Sequence, residues 1–311
     1  MPLPSAATSS CCGPCAMPDR STRRPTLALL GVTAVWGSTF VVVKDAVRQM
    51  PVTDFLTWRF LLAAVAMLLL RPRALVGLGR SGRRVGSVLG LALGAGYLLQ
   101  TLGLEHTSAA VSGFVTGMFV VLTPLGAALL LRTPPGRTAW GAVALATVGL
   151  GLLSLHGLSV GTGELLTLGC AAAFALHIVG LGRWAPTYDA YGLAVVQLLT
   201  VGVLCAVVAV PGGLAVPPTA SVWGALAITA LAATALAFVV QTWAQAHLAP
   251  TRAAVVMTME PVFGGLFAVG IAGESLGPRA LAGGVLVLAA MVLTEIGPRH
   301  GAEGALTRLE A

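Results

Sequence analysis

The sequence predicts an all-α polytopic membrane protein whose ten transmembrane helices form two five-helix inverted repeats. Three observations carry that prediction. The 311 residues are 57% hydrophobic and only 9% charged, with mean hydropathy +0.91. Proline, glycine and arginine divide the chain into ten long apolar runs. The second half of the chain repeats the first.

Composition excludes a water-soluble fold. Soluble chains carry about a quarter charged residues, and this one lacks the polar surface to cover itself in water. The uncharged run from Val85 to Leu104 matches the ~20 residues needed to cross a ~30 Å hydrocarbon core. The ten runs cover roughly 27–47, 54–70, 85–104, 107–131, 138–157, 163–182, 190–210, 221–246, 251–273 and 278–296. Residues 1–26 read as a disordered tail, 27–158 as a first repeat, 163–296 as a second, and 297–311 as a C-terminal tail. Gly113 and Gly117 form a GxxxG pattern suited to close helix packing.

The net charge of +7 does not point to nucleic acid, because the basic residues sit in short loops between apolar runs. They report orientation instead. With a cytoplasmic N-terminus, fourteen arginines fall inside, while Lys44, Arg48 and Arg279 fall outside and Arg59 lies within the second run. The positive-inside rule then places both termini in the cytoplasm. Arginine accounts for all basic residues except Lys44, a bias pointing to a GC-rich genome; the expected location is a bacterial inner membrane. "CGPC" (Cys12 to Cys15) has dithiol spacing but lacks the strand and helix that such a motif requires, and reads as tail.

The repeat fixes the topology. "AVWGSTFVVVKD" (Ala34 to Asp45) lies over "AAFALHIVGLGR" (Ala172 to Arg183) at an offset of 138. "YLLQTLGLEHTSA" (Tyr97 to Ala109) lies over "FVVQTWAQAHLAP" (Phe238 to Pro250) at 141, pairing Gln100 with Gln241. Pro124 and Pro261 correspond at 137. Five spans per half is an odd number, so the second half enters the membrane inverted, an arrangement characteristic of secondary transporters.

Three stretches carry a family resemblance: "WGSTFVVVKDAV" (Trp36 to Val47), "WRFLLAAVAMLLL" (Trp58 to Leu70) and the long segment from Glu260 to Leu293, beginning "EPVFGGLF". The chain resembles the drug/metabolite transporter superfamily, most closely its ten-helix members with two EamA-type repeats. The resemblance implies alternating-access movement of small organic solutes, often export of metabolites or amino acids. Two departures make the halves chemically unequal. The first repeat has "LTPLGAALLLRTPPGR" (Leu122 to Arg137) in place of the Glu-Pro and Gly-Glu of the second. The second has Gly182 opposite Lys44 and Gln197 opposite Arg59.

The candidate site residues are the polar groups that lipid alone would not tolerate. Glu260 lies roughly 13 Å along its span, near the midplane, where a charge costs ~2.5–3.5 kcal/mol. Pro261 removes a donor, and the Met257 carbonyl loses its helical partner. The resulting polar notch reads as cavity lining or gate, with helix–helix pairing as the structural alternative and proton coupling as the sharper one. Arg59 either binds an anionic substrate group, bridges to Asp54 or Asp45 as an outer gate, or anchors the interface. Lys44 snorkels to the outer surface or supplies a compact ammonium. Gln100, Gln241 and His177 hydrogen-bond between helices or line the substrate path. Trp36 and Tyr97 line the cavity or fill space, and Pro124 and Pro261 break their helices.

No HExxH, GxSxG or phosphate-loop pattern appears, so the sequence argues against an enzyme. Five scattered histidines lack metal-ligand spacing. No cofactor or metal is expected. The expected partners are a small-molecule substrate and the lipid bilayer, without nucleic acid, in a monomer or homodimer. The competing classes are a membrane-embedded enzyme on lipid-linked substrates and a structural or regulatory membrane protein without flux.

Overall fold

The computed structural model describes residues 20–104, 106, 112, 115–132, 134–154, 161–272 and 277–296. The N-terminal cysteines, Gly113 and the C-terminal tail lie outside them, as do the side chains of Lys44 and Asp45. Among the described residues every regular element is helical.

The first half contains α1 (Arg20–Ala46), α2 (Val52–Leu70), α3 (Gly79–Leu104), α4 (Phe119–Leu131) and α5 (Arg137–Ser154). The second contains α6 (Thr162–Trp184), α7 (Ala190–Ala209), α8 (Ala220–Gln245), α9 (Pro250–Met257), α10 (Met259–Ala272) and α11 (Pro278–Ile296). A single helical turn, Ala74–Gly77, joins α2 to α3. Five helices among the described residues are long and apolar enough to cross a membrane: α2, α3, α6, α7 and α8. Helix α1 has the length but carries Arg20, Arg23 and Arg24 in its first turns. It begins at Arg20, ahead of Leu27, so residues 20–26 are helical where the sequence reading has tail.

Local chemistry sets the starts. Asp189 caps α7 by accepting from the Gly192 amide at 2.8 Å, and Thr219 caps α8 by accepting from Val222 at 3.3 Å. The Glu164 carboxylate closes the first turn of α6 by accepting from the Gly161 amide at 2.8 Å. Pro250 opens α9 at a position where a missing N–H costs nothing. The helix then breaks at Thr258, just ahead of Pro261, and the Thr258 hydroxyl donates to the Val255 carbonyl at 2.6 Å. Pro124, by contrast, lies inside the continuous helix α4.

The packing pattern relates the two halves. The most extensive contacts are α5 with α11, α3 with α6, α2 with α7, α3 with α7, and α1 with α10. Exchanging α1 with α6, α2 with α7, α3 with α8, α4 with α9–α10 and α5 with α11 turns this pattern into itself. The α3–α6 contact becomes α8–α1, and α1–α10 becomes α6–α4; both are present. Such reciprocity is what a two-fold relation between halves produces. The interior it encloses is apolar with scattered buried hydroxyls and amides, many of which bond to carbonyls of their own helix.

Candidate functional site

Glu260 lies in the first turn of α10, where that helix crosses α1 most closely. A Cβ built on Gly37 would stand 2.7 Å from the Gly264 amide nitrogen and 2.9 Å from the Glu260 carbonyl oxygen. The two backbones therefore touch, and the Glu260 side chain is half-buried at that crossing. Among the described residues no hydrogen bond reaches its carboxylate, and the opposite charge acting on it is Arg59. The two do not close into an ion pair.

Arg59 projects from α2 and is buried, with 7% exposure. Its Nε donates to Thr234 Oγ1 at 2.6 Å, and its Nη2 donates to the Ala233 carbonyl at 3.4 Å. Both acceptors belong to Leu231–Leu236, where α8 widens into a π turn. Trp36 of α1 donates from Nε1 to the same Ala233 carbonyl at 2.8 Å. A π turn withdraws carbonyls from the regular ladder, and here two donors from other helices meet one of them.

Aromatic rings wall the same region. Trp36 meets Phe238 at 5.7 Å and Tyr97 meets Phe174 at 5.5 Å, while Phe60 stacks edge-on against both Tyr97 at 5.0 Å and Phe238 at 6.3 Å. The sequence offsets of 138 and 141 pair Trp36 with Phe174 and Tyr97 with Phe238. Each ring contact is thus the counterpart of the other under exchange of the halves. The pseudo-two-fold relation runs through this cluster, and Tyr97 lies in electrostatic reach of both Arg59 and Glu260. Glu260, Arg59, Tyr97 and Trp36, four candidates from four helices, therefore come together.

The other candidates take different places. Gln100 donates to Thr116 Oγ1 at 3.2 Å, and Thr116 in turn lies 3.9 Å from Cys170 Sγ of α6. His177 is fully buried, with Nε2 at 2.6 Å from Gln197 Oε1, and it bridges α6 to α7. Gln241 is buried against Gln245 at 3.4 Å and Met257 Sδ at 3.8 Å, leaving Gln241 Oε1 and Gln245 Nε2 without hydrogen-bond partners among the described residues. Lys44 lies outside the described side chains. Asp54 does not bridge to Arg59; it accepts from the Ala215 amide at 2.9 Å, beside Trp58, which donates to the Ala215 carbonyl at 2.9 Å.

Two outer clefts, of about 300 Å³ between α1 and α8 and about 270 Å³ between α2, α7 and α8, are lined by neither Arg59 nor Glu260. The residues that sequence reasoning missed are Thr234, the Ala233 carbonyl, Phe60, Phe174 and Phe238. The repeat alignment carried a signal for Phe174 and Phe238, since it sets them opposite Trp36 and Tyr97. Thr234, one hydroxyl in a run of Ala and Leu, had none.

Charged and aromatic groups at the centre of an all-helical bundle with two related halves suit solute passage, since a lipid-filled interior has no use for them. Comparison with known proteins agrees. The family model of the EamA-like transporter family matches residues 24–155 and again 161–296. An uncharacterized transporter of Archaeoglobus fulgidus is 32% identical over 270 residues, covering 87% of this chain and 85% of that protein. A crystal structure of a protein superposes with a TM-score of 0.72 over 87% of this chain and 96% of its own, at 17% identity, a likeness of fold alone. Matched in both halves, the chain belongs to the EamA-like transporter family and is a multi-pass membrane transporter.

Proposed function

We propose that the protein exports small organic solutes (metabolites, amino acids or drugs) by alternating access between two inverted five-helix halves. The observation that carries this reading is the reciprocal ring pairing, Trp36 with Phe238 and Tyr97 with Phe174, around a buried guanidinium and a carboxylate that remain apart. A two-fold relation at the binding centre supports a site that two equivalent rearrangements can open to opposite sides. In this reading Arg59 receives an acidic group of the solute, Glu260 receives a donor or cationic group, and Tyr97 and Trp36 wall the passage. Fourteen arginines on one side against three basic residues on the other support cytoplasmic termini.

The test is export of a metabolite panel from cells with and without the gene, followed by flux in proteoliposomes for each solute that responds. A gene-dependent efflux that Arg59→Ala and Glu260→Ala both lower at least tenfold is expected. Undiminished flux in both variants would remove the site, and no flux at all would remove the transport assignment.

A further inference from the structure

Arg59 has five N–H groups arranged as two forks, a side fork of Nε and Nη2 and an end fork of Nη1 and Nη2. In the structure the side fork is occupied. Nε donates to Thr234 Oγ1 at 2.6 Å and Nη2 to the Ala233 carbonyl at 3.4 Å. No other hydrogen bond from the guanidinium reaches a described residue. The end fork is thus open, in a group only 7% exposed. The guanidinium lies over the Phe60 ring, 5.7 Å from its centroid, and Glu260, the nearby opposite charge, does not close on the end fork.

The π turn supplies both acceptors of the side fork, and the pseudo-equivalent crossing is built differently. In the first half, α3 lets α7 approach by means of glycine: a Cβ on Gly90 would stand 2.8 Å from the Gln197 carbonyl oxygen. Gln197 corresponds to Arg59 at an offset of 138, and Gly90 corresponds to Leu231 at 141. Leu231 is the first residue of the π turn. Where one half makes room with a missing side chain, the other widens the helix and turns a carbonyl and a hydroxyl toward the arginine. Trp36 anchors the turn from a third helix through its bond to Ala233.

We infer that Thr234 and the Ala233 carbonyl are positioning groups: they hold the side fork of Arg59 so that its end fork receives a planar carboxylate of the solute. This rests on the proposed solute-binding role of Arg59 and specifies the ligand chemistry and the binding edge. Thr234 touches no solute; it acts through Arg59.

The test uses full-length protein in lipid nanodiscs, labelled with 15N-arginine, with the Arg59 signals assigned by their loss in Arg59→Lys. Acetate serves as the minimal carboxylate. Wild type is expected to show an Arg59 Nε–H that exchanges with water at least tenfold more slowly than the exposed arginines, and acetate should shift the Arg59 Nη signals. Thr234→Ser should keep both properties. Thr234→Val, with the same shape and no acceptor, should lose the slow exchange and need at least tenfold more acetate for the same shift. Slow exchange persisting in Thr234→Val, or an acetate response there equal to wild type, would overturn the positioning role. Slow exchange that follows the hydroxyl as expected, with no acetate response in any form, would instead overturn the carboxylate reading of Arg59 and the inference resting on it. Thr234→Ser guards against misfolding, because loss of both properties there too would sink the hydroxyl's role.

Discussion

Gly37 and Glu260 meet backbone to backbone, with the Glu260 carbonyl oxygen 2.9 Å from where a Cβ on residue 37 would stand. The neighbouring contacts, at 2.7 Å, are the Gly264 amide nitrogen and the Phe263 Cβ, none of them the end of a flexible side chain. Gly37→Ala must therefore push α1 and α10 apart. Overpacking of this kind costs about 1–3 kcal/mol, measurable as a lowered thermal unfolding midpoint in detergent. Gly31→Ala, six residues earlier on α1 with nothing within 4 Å, should be neutral and serves as the control.

Glu260→Gln keeps the shape of the side chain and removes its titration. If Glu260 takes up the coupling proton, flux in proteoliposomes should lose its dependence on pH while remaining measurable. An unchanged pH profile removes proton coupling through this residue and leaves the solute-binding role to be judged by Glu260→Ala.

The His177–Gln197 bond, at 2.6 Å between fully buried groups, should behave as structural glue. Gln197→Leu strands a buried imidazole nitrogen, at a cost of about 1–3 kcal/mol, whereas replacing both partners by leucine should recover most of it. Chemical unfolding of the two variants measures the difference. A changed solute preference in the double variant would instead assign His177 to the transport path.

Where α2 ends, Arg71 donates from Nη1 to both oxygens of Asp189 at 3.2 and 3.0 Å, and Tyr191 donates from its hydroxyl to the Met67 carbonyl at 2.7 Å. The ion pair is half exposed, at 55% and 44%. A double-mutant cycle should therefore give about 0.2–1 kcal/mol, shrinking as salt rises. Tyr191→Phe should cost about 0.5–1.5 kcal/mol, and salt should leave that loss unchanged.

Much of this arrangement was legible from the sequence, for reasons that can be located. Arg59 and Glu260 stood out because a charge within an apolar run has to be put to use. The repeat set Trp36 over Phe174 and Tyr97 over Phe238, and those four rings are the ones that pair. What escaped was decided by contacts between helices distant in sequence. Nothing in "LAATAL" announces a π turn, and the arginine that bonds to it arrives from α2, distant in sequence. Asp54 looked like a partner for Arg59 by proximity in sequence, but a loop amide at Ala215 claims it instead. Both prolines drew the eye as helix breakers, but Pro124 lies inside α4 and Pro261 inside the first turn of α10, with the interruption ahead of it at Thr258, in the turn that a proline disturbs.

Gly86, Gly90 and Gly94 recur every four residues along α3, and a Cβ on each would strike α7 at 2.7–2.8 Å. The corresponding positions on α8 are Ala227, Leu231 and Ala235. On this seam α3 offers bare backbone, into which the Val196, Thr200 and Leu204 side chains and the Gln197 carbonyl of α7 fit. A seam built on side chains and a widened turn can yield a little at a time. The symmetry of the halves therefore does not extend to the fit of their seams, and the closely cut α3–α7 seam is expected to keep its spacing during transport while the α2–α8 seam changes, which spin-label distances across each seam would check.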